Sequence, residues 1–215
     1  RESKMTKQNP MIIMMRLFIK SLAKYGNTLS KQNAWLKKYV RKSGYSINQN
    51  PMFSTNLKLW LSEAEDTFGS RICPCFSPTG DKIRDSKMTC PCKYIDQDIK
   101  EKGTCHCTLF AAGNAGKDTY RKAMSRLMKE YQIPMLRNQQ GEIDIRNYPM
   151  DEIRGLRVPD AYHLIKRAVI MQKGPVKMFV EHDYEVEAIR MWGNKNGHRF
   201  EVMDKEDGYS LTVSS

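Results

Sequence analysis

Apolar residues recur at helical spacing through much of the first 131 positions. Ile12, Met15, Ile19, Leu22 and Ala23 predict a helix over 11–25 that stops at Gly26-Asn27. Such a stripe is expected to pack on the next domain or on a second subunit. Trp35, Leu36, Tyr39 and Val40 predict a second helix over 31–43, ending near Gly44. Leu57, Trp60, Leu61, Ala64 and Phe68 mark a third over 54–67, with Ser54 or Thr55 as its cap. Tyr120, Met124, Leu127, Met128 and Tyr131 mark another over 117–131. The stretch between these last two, residues 72–110, lacks the periodicity and reads as loops and short helices.

The pattern changes after residue 132. Pro134, Asn138, Gly141 and Pro149 punctuate a linker over 133–149, in which Ile143 and Ile145 alternate with polar residues as in a short strand. Beyond it, Ala161, Leu164, Ile165 and Ala168 predict a helix over 160–172. A strand over 176–181, a helix over 184–194 and strands over 199–203 and 210–213, joined through Asp207-Gly208, complete the chain. The expected fold is an α+β multidomain chain: a mainly α-helical domain, then a two-layer α/β sandwich of βαβαββ order.

Charge divides the chain in the same place. The formal net charge is +12, yet residues 151–215 carry 10 Lys+Arg against 11 Asp+Glu. Residues 1–50 carry 11 basic side chains and one acid. A basic domain is the electrostatic partner of an acidic protein or of nucleic acid. No helix-turn-helix or RNP-type motif supports nucleic acid. No apolar stretch is long enough for a membrane span, since Met11 to Met15 runs into Arg16 and Lys20. Residues 1–9 are expected to fray, with Met5 as a natural start. No signal-peptide pattern is visible, so a soluble protein of the reducing cytoplasm is expected.

All six cysteines lie within 35 residues, as Cys73-Pro74-Cys75, Cys90-Pro91-Cys92 and Cys105-His106-Cys107. Four thiolates close a tetrahedral zinc site or an iron–sulfur cluster, leaving two for a redox-active disulfide. Structural zinc usually takes C-x₂₋₄-C spacing, and a secreted disulfide framework would be denser in cysteine. Proline inside two pairs fixes φ and biases the preceding cysteine to extended geometry, which sends the paired side chains apart. The favoured reading is a metal centre coupled to thiol chemistry. A zinc-containing nucleic-acid-binding module is the alternative from another class.

The three pairs resemble the catalytic chain of ferredoxin:thioredoxin reductases, whose signature is C-P-C, C-P-C, C-H-C. Gly69-Ser70-Arg71-Ile72 before them and Thr108-Leu109-Phe110 after them extend the resemblance over about residues 33–115. The spacing departs from the plant and cyanobacterial pattern: 14 residues separate the first two pairs and 12 the last two, a shorter first gap and a longer second. The resemblance implies a [4Fe–4S] cluster on Cys73, Cys90, Cys92 and Cys105. It implies a Cys75–Cys107 disulfide, Cys75 being the attacking sulfur, and His106 handling the proton. It also implies ferredoxin as the donor, docked on the basic N-terminal part, and a thioredoxin-like or other protein disulfide as the acceptor. A ferredoxin near about −400 mV and a thioredoxin near about −270 mV leave roughly 6 kcal/mol for the two-electron transfer.

Residues 150–215 resemble the TusA/SirA-like sulfur-carrier family. Arg154-Gly155-Leu156-Arg157-Val158-Pro159 matches its R-G-L-x-C-P motif, and Gly197-His198 a later turn. The family's persulfide-bearing cysteine falls on Val158, which cannot carry sulfur. A sulfur-carrier protein is therefore a further expected partner, and persulfide reduction an alternative activity. His163, His182 and His198 are read as surface or core polar residues rather than ligands. The expected domains are a basic helical extension over 1–32, the reductase-like domain over 33–132, the linker, and the sulfur-carrier-like domain from 150.

Overall fold

The computed structural model describes residues 10–131, 134–172 and 174–214. The segment over 1–9 and the side chains of Ile12 and Tyr131 lie outside what is described. The chain opens with α1 (Pro10–Tyr25) and α2 (Leu29–Ser43), then β1 (Ser46–Ile47) and α3 (Pro51–Phe68). Helix α2 ends because Gly44 takes the left-handed conformation, φ 73°, and donates its N–H to Val40. Helix α3 starts three residues before the expected cap. Asn50 accepts from Phe53 N at 3.0 Å, and Pro51 occupies the first helical position, where its missing N–H costs nothing.

The inward face of α1 also differs from the expected stripe. Met15, Ile19 and Leu22 are exposed, while Leu17, Phe18, Ser21 and Tyr25 turn inward toward α3. The turn after α1 sets this orientation: Tyr25 Oη donates to Asp66 at 3.2 Å, and Thr28 Oγ1 to Ser62 Oγ at 2.7 Å.

Two short helices, α4 (Lys82–Met88) and α5 (Ile95–Lys102), fill the cysteine region. β2 (Phe110–Ala111) then pairs antiparallel with β1, and α6 (Lys117–Tyr131) follows. A first core gathers Leu36, Leu57, Leu61, Ala64, Ile72, Phe76 and Phe110 with the buried cysteines.

The second core begins with β3 (Ile143–Asp144). A small antiparallel hairpin follows, β4 (Met150–Asp151) with β5 (Leu156–Arg157). Then come α7 (Ala161–Met171), β6 (Val176–Val180), α8 (Asp183–Lys195), β7 (Arg199–Lys205) and β8 (Gly208–Ser214). The four-stranded sheet has the order β3–β6–β8–β7, with β3 parallel to β6 and the other pairs antiparallel. With the β4–β5 hairpin set apart, the element order around the four-stranded sheet is βαβαββ. Its first strand, however, lies at 143–144, so residues 134–149 are part of this core and the boundary expected at 150 cuts through it. Ile143 in β3 and Ile145, which opens a 3-10 turn over Ile145–Asn147, are both fully buried.

The cores meet along α3, which is buried on two sides. Leu57, Leu61 and Ala64 face the first core, while Trp60 packs on the second. Phe68 touches both. Glu63 is 6% exposed and pairs with Lys166 of α7, and Trp192 Nε1 of α8 donates to it at 3.1 Å. The Lys166 ammonium lies 3.7 Å from the centre of the Trp60 ring, whose other stacking partner, His163, is at 4.6 Å. Arg154 and Asp98 add a second buried ion pair, at 2.5 Å. These contacts make the joint continuous with both cores.

Two stability measurements follow. Lys166→Met leaves Glu63 charged in a dry interface and is expected to cost about 3–5 kcal/mol in urea unfolding. The double variant Glu63→Gln/Lys166→Met is expected to recover most of that loss; equal losses would show that the pair does not couple. Glu185, buried beneath the start of α8, has its carboxyl pushed up to about 7 by burial, despite backbone donors from His182 and Glu181. The folded chain holds this proton where the unfolded chain has lost it, so stability falls as pH rises from about 4.5 to 7. Glu185→Gln is expected to flatten that fall by roughly 3 kcal/mol.

Candidate active site

Backbone hydrogen bonds bring the three cysteine pairs together. After α3, Cys73 N donates to Met88 O at 2.9 Å and Cys90 N to Arg71 O at 2.7 Å, which sets the two Cys-Pro-Cys segments side by side. The third pair sits in a tight turn: Cys105 N donates to Phe110 O, Thr108 N to Cys105 O, and Phe110 N to Cys105 Sγ at 3.3 Å. Thr108 closes this turn at φ 63°, a costly conformation for a β-branched residue, of order 1–3 kcal/mol. Asn48 holds it there, donating from Nδ2 to Thr108 O at 2.9 Å.

All six cysteines line one pocket with Pro91, Ile95, His106 and Phe110. The sulfurs of Cys73, Cys75 and Cys107 lie within 4.8 Å of one another, and Cys105 Sγ is 3.7 Å from Cys107 Sγ. Cys75 is half-buried and the other five are buried.

Crowding and dryness decide the charge state here. Burial, then the Cys107 thiol, push Cys75 well above the usual thiol range. Cys105 and Cys73 push Cys107 up. Cys107 pulls Cys73 down, but Cys75, Cys90, Cys92 and burial outweigh it and leave it raised. Cys92 is pulled down, chiefly by a hydrogen bond from Cys73. Several thiolates cannot coexist in such a cavity without a compensating cation. A multivalent metal centre supplies that charge and takes thiolate as its preferred ligand. The donor set fits an iron–sulfur group.

A second space, a cleft, opens beside Cys75. Cys75, His106 and Cys107 line it, and Cys73, Cys90, Cys92 and Cys105 do not. The opposite wall comes from the second core: Arg154, the segment over 156–160, and His163. Arg154 reaches Asp98 at 2.5 Å and Asp151 at 2.7 Å. Burial pulls its guanidinium down, but Asp98, Asp151 and the nearby Cys75 hold it above its usual value. Arg157 is held by Glu181 at 3.0 Å. Asp160 caps α7, accepting from His163 N at 2.9 Å and meeting His163 Nδ1 at 2.5 Å.

The structure thus brings together all seven residues expected at the site. It adds a wall that the cysteine pattern gave no reason to place there. His163, expected as an unremarkable polar residue, belongs to that wall. His182 instead precedes α8 and stacks on Tyr184, and His198 lies against Trp192. The available signal was the Arg154 to Pro159 motif, but nothing in its sequence says that it faces the cysteines.

Soft ligands around one dry cavity, with two thiols and a histidine opening to a cleft, define a metal-linked thiol oxidoreductase. The chain belongs to the family described as Ferredoxin thioredoxin reductase catalytic beta chain, whose pattern matches residues 23–132. That span holds all six cysteines and runs from the end of α1 through α6. The family is one of iron–sulfur disulfide reductases, with ferredoxin and thioredoxin as its partners. No curated protein matches the chain. Among the described residues no helix is long and apolar enough to cross a membrane.

Proposed function

We propose that this chain reduces disulfides through a Cys75–Cys107 pair, with Cys73, Cys90, Cys92 and Cys105 holding a [4Fe–4S] cluster. The observation that carries the reading is the division between the two cavities. Cys75 and Cys107, whose sulfurs lie within 4.8 Å of each other and of Cys73, are the two cysteines that line the cleft. The remaining four line only the inner cavity, where thiolate ligands need the cation most. Held by these four thiolates, the cluster would supply the one-electron chemistry that joins a single-electron donor such as ferredoxin to a two-electron disulfide.

Two electrons and two protons open Cys75–Cys107 to a dithiol. Cys75 then attacks the substrate disulfide to form a mixed disulfide, and Cys107 attacks Cys75 to release the second product thiol. His106, on the cleft wall between them, is the proton donor in this scheme. Thioredoxin-like proteins are the proposed acceptors, in a reducing, cytoplasmic setting.

The proposed donor surface is α2. Its Lys37, Lys38, Arg41 and Lys42 are exposed, while Trp35 and Tyr39 turn inward onto Phe110 at 6.4 and 5.1 Å. Phe110 in turn donates its N–H to Cys105 Sγ.

The second core is proposed to be a TusA/SirA-like unit, supported by its βαβαββ order and the Arg154 to Pro159 motif. Val158 leaves it without a sulfur-bearing side chain of its own. A sulfur-carrier protein is its proposed partner.

Two experiments test these assignments. Cys73→Ser, Cys90→Ser, Cys92→Ser and Cys105→Ser are expected to lose iron and sulfide. Cys75→Ser and Cys107→Ser are expected to keep them but lose disulfide reduction, and Cys107→Ser to trap a partner on Cys75. Iron loss confined to the Cys75 variant would reverse the ligand assignment. Separately, ferredoxin-dependent reduction is expected to slow at least about tenfold between low and moderate salt, against little change with a neutral reductant. Charge reversal at Lys37, Lys38, Arg41 and Lys42 is expected to mimic high salt, and a salt-independent rate would remove α2 as the docking face.

A further inference from the structure

We propose that the hairpin over 150–157 is a gate on Cys75, latched to the first core through Arg154 and Asp98, which lifts to admit a disulfide. The inference rests on the disulfide-reductase reading above and deepens it, naming the segment that controls access to the attacking sulfur.

Space makes a gate necessary. The cleft beside Cys75 holds about 40 Å³, room for a few waters. A disulfide with its flanking carbons is larger than that, and it must also lie in line with the attacking sulfur. Three residues of the wall, Arg154, Leu156 and Arg157, belong to the β4–β5 hairpin. With them in place, a water-sized molecule fits against Cys75 and a disulfide does not.

The hairpin has a fixed base and a releasable tip. At the base, Val158 N donates to Pro149 O at 2.9 Å, and Arg157 is tied to Glu181 and Tyr148 O within the second core. At the tip, Arg154 crosses to Asp98 of the first core at 2.5 Å. Leu156 adds an apolar contact with that core.

This latch differs from the other buried ion pair between the cores. Glu63 and Lys166 are paired with each other, and neither has a second ion pair among the described residues. Asp98 and Arg154 each keep a counter-ion on their own side. Lys102 of α5 lies 3.1 Å from Asp98 Oδ1, and Asp151 of the hairpin lies 2.7 Å from Arg154 Nη1. Parting the latch therefore strands neither charge, which is the main cost of breaking a buried pair. The closed form, in turn, leaves Arg154 Nε–H and Asp160 Oδ2 on this wall buried without hydrogen-bond partners. Lifting the hairpin lets water reach them. No covalent bond changes in this step, and the thiol exchange that follows is the one given above.

The test reads access to Cys75 separately from turnover. In the reduced, metal-loaded full chain, the rate at which a maleimide with a polyethylene-glycol tail labels Cys75 is followed by peptide mapping. It is expected to be at least about tenfold slower than in the urea-unfolded chain, an open fraction of about a tenth or less. Asp98→Asn and Arg154→Gln, compared at equal iron content, are each expected to recover most of that loss. The two substitutions have opposite electrostatic effects on a nearby thiolate, so acceleration by both cannot come from the reactivity of the thiol. In Asp98→Asn, KM for a thioredoxin disulfide is expected to fall by the same factor, because both follow the open fraction. Glu63→Gln/Lys166→Met, which alters the other joint, is expected to leave labelling unchanged. Native labelling as fast as in the unfolded chain overturns the gate, whether or not the variants fold. So does acceleration by Asp98→Asn with slowing by Arg154→Gln, which is electrostatics alone. Equal acceleration by Glu63→Gln/Lys166→Met overturns it too, since the whole second core would then be the moving part. Release of Cys75 by both latch variants, in a chain that reduces no disulfide, would keep the gate and remove the reductase reading.

Discussion

Glu63 and Lys166 face each other where neither charge could stand alone. Each is almost fully buried, and the ion pair with Trp192 and Trp60 around it replaces the water that both have lost. Taking one partner away leaves a naked charge in a dry place, which is far more costly than the pair is worth. The arrangement is therefore selective for one docking of α7 against α3. Helix α7 begins at Ala161, directly after the segment that walls the cleft. Fixing the helix fixes the wall. What the cysteines face on that side is set by an ion pair on a neighbouring helix.

A second constraint acts inside the first core. Sulfur atoms held a few ångströms apart in an apolar cavity repel one another as anions. A protein without a metal partner gains nothing from that crowding. Phe110 shows how tightly the backbone enforces it, since its N–H is aimed at Cys105 Sγ while its ring is clamped by Trp35 and Tyr39. Asn48 then holds Thr108 in a conformation that a threonine would not choose. Local strain of this kind persists only where surrounding contacts over-determine it.

Much of this was legible in the sequence, for physical reasons that differ by element. Helices α2 and α6 follow their apolar period closely, because amphipathic spacing and a terminal glycine act locally. The gathering of Cys73, Cys75, Cys90, Cys92, Cys105 and Cys107 was legible because soft ligands so close in sequence have few other uses. In α1 the apolar stripe is not the face that packs within the chain. Met15, Ile19 and Leu22 are more apolar than Ser21, but the hydrogen bonds of Tyr25 and Thr28 set the rotation of the helix. The strand at Ile143 was visible as alternation, whereas its place at the sheet edge depends on β6, more than 30 residues away. Arg154 was noticed for a resemblance, and its real neighbour, Asp98, lies in another core. Long-range pairing of that kind leaves no periodic trace in a single sequence.

The half-exposed position of Cys75 also bears on how the chain meets oxidants. As the most accessible thiol of the six, it is the one that a peroxide entering the cleft would meet, and its thiolate form would yield a sulfenic acid. Cys107 sits within 4.8 Å and can condense with that sulfenic acid, expelling water and leaving an ordinary disulfide. The irreversible rungs of sulfur oxidation are thereby bypassed. In the proposed scheme the same spacing would serve turnover and also work as a chemical fuse, one that ordinary reducing equivalents can reset.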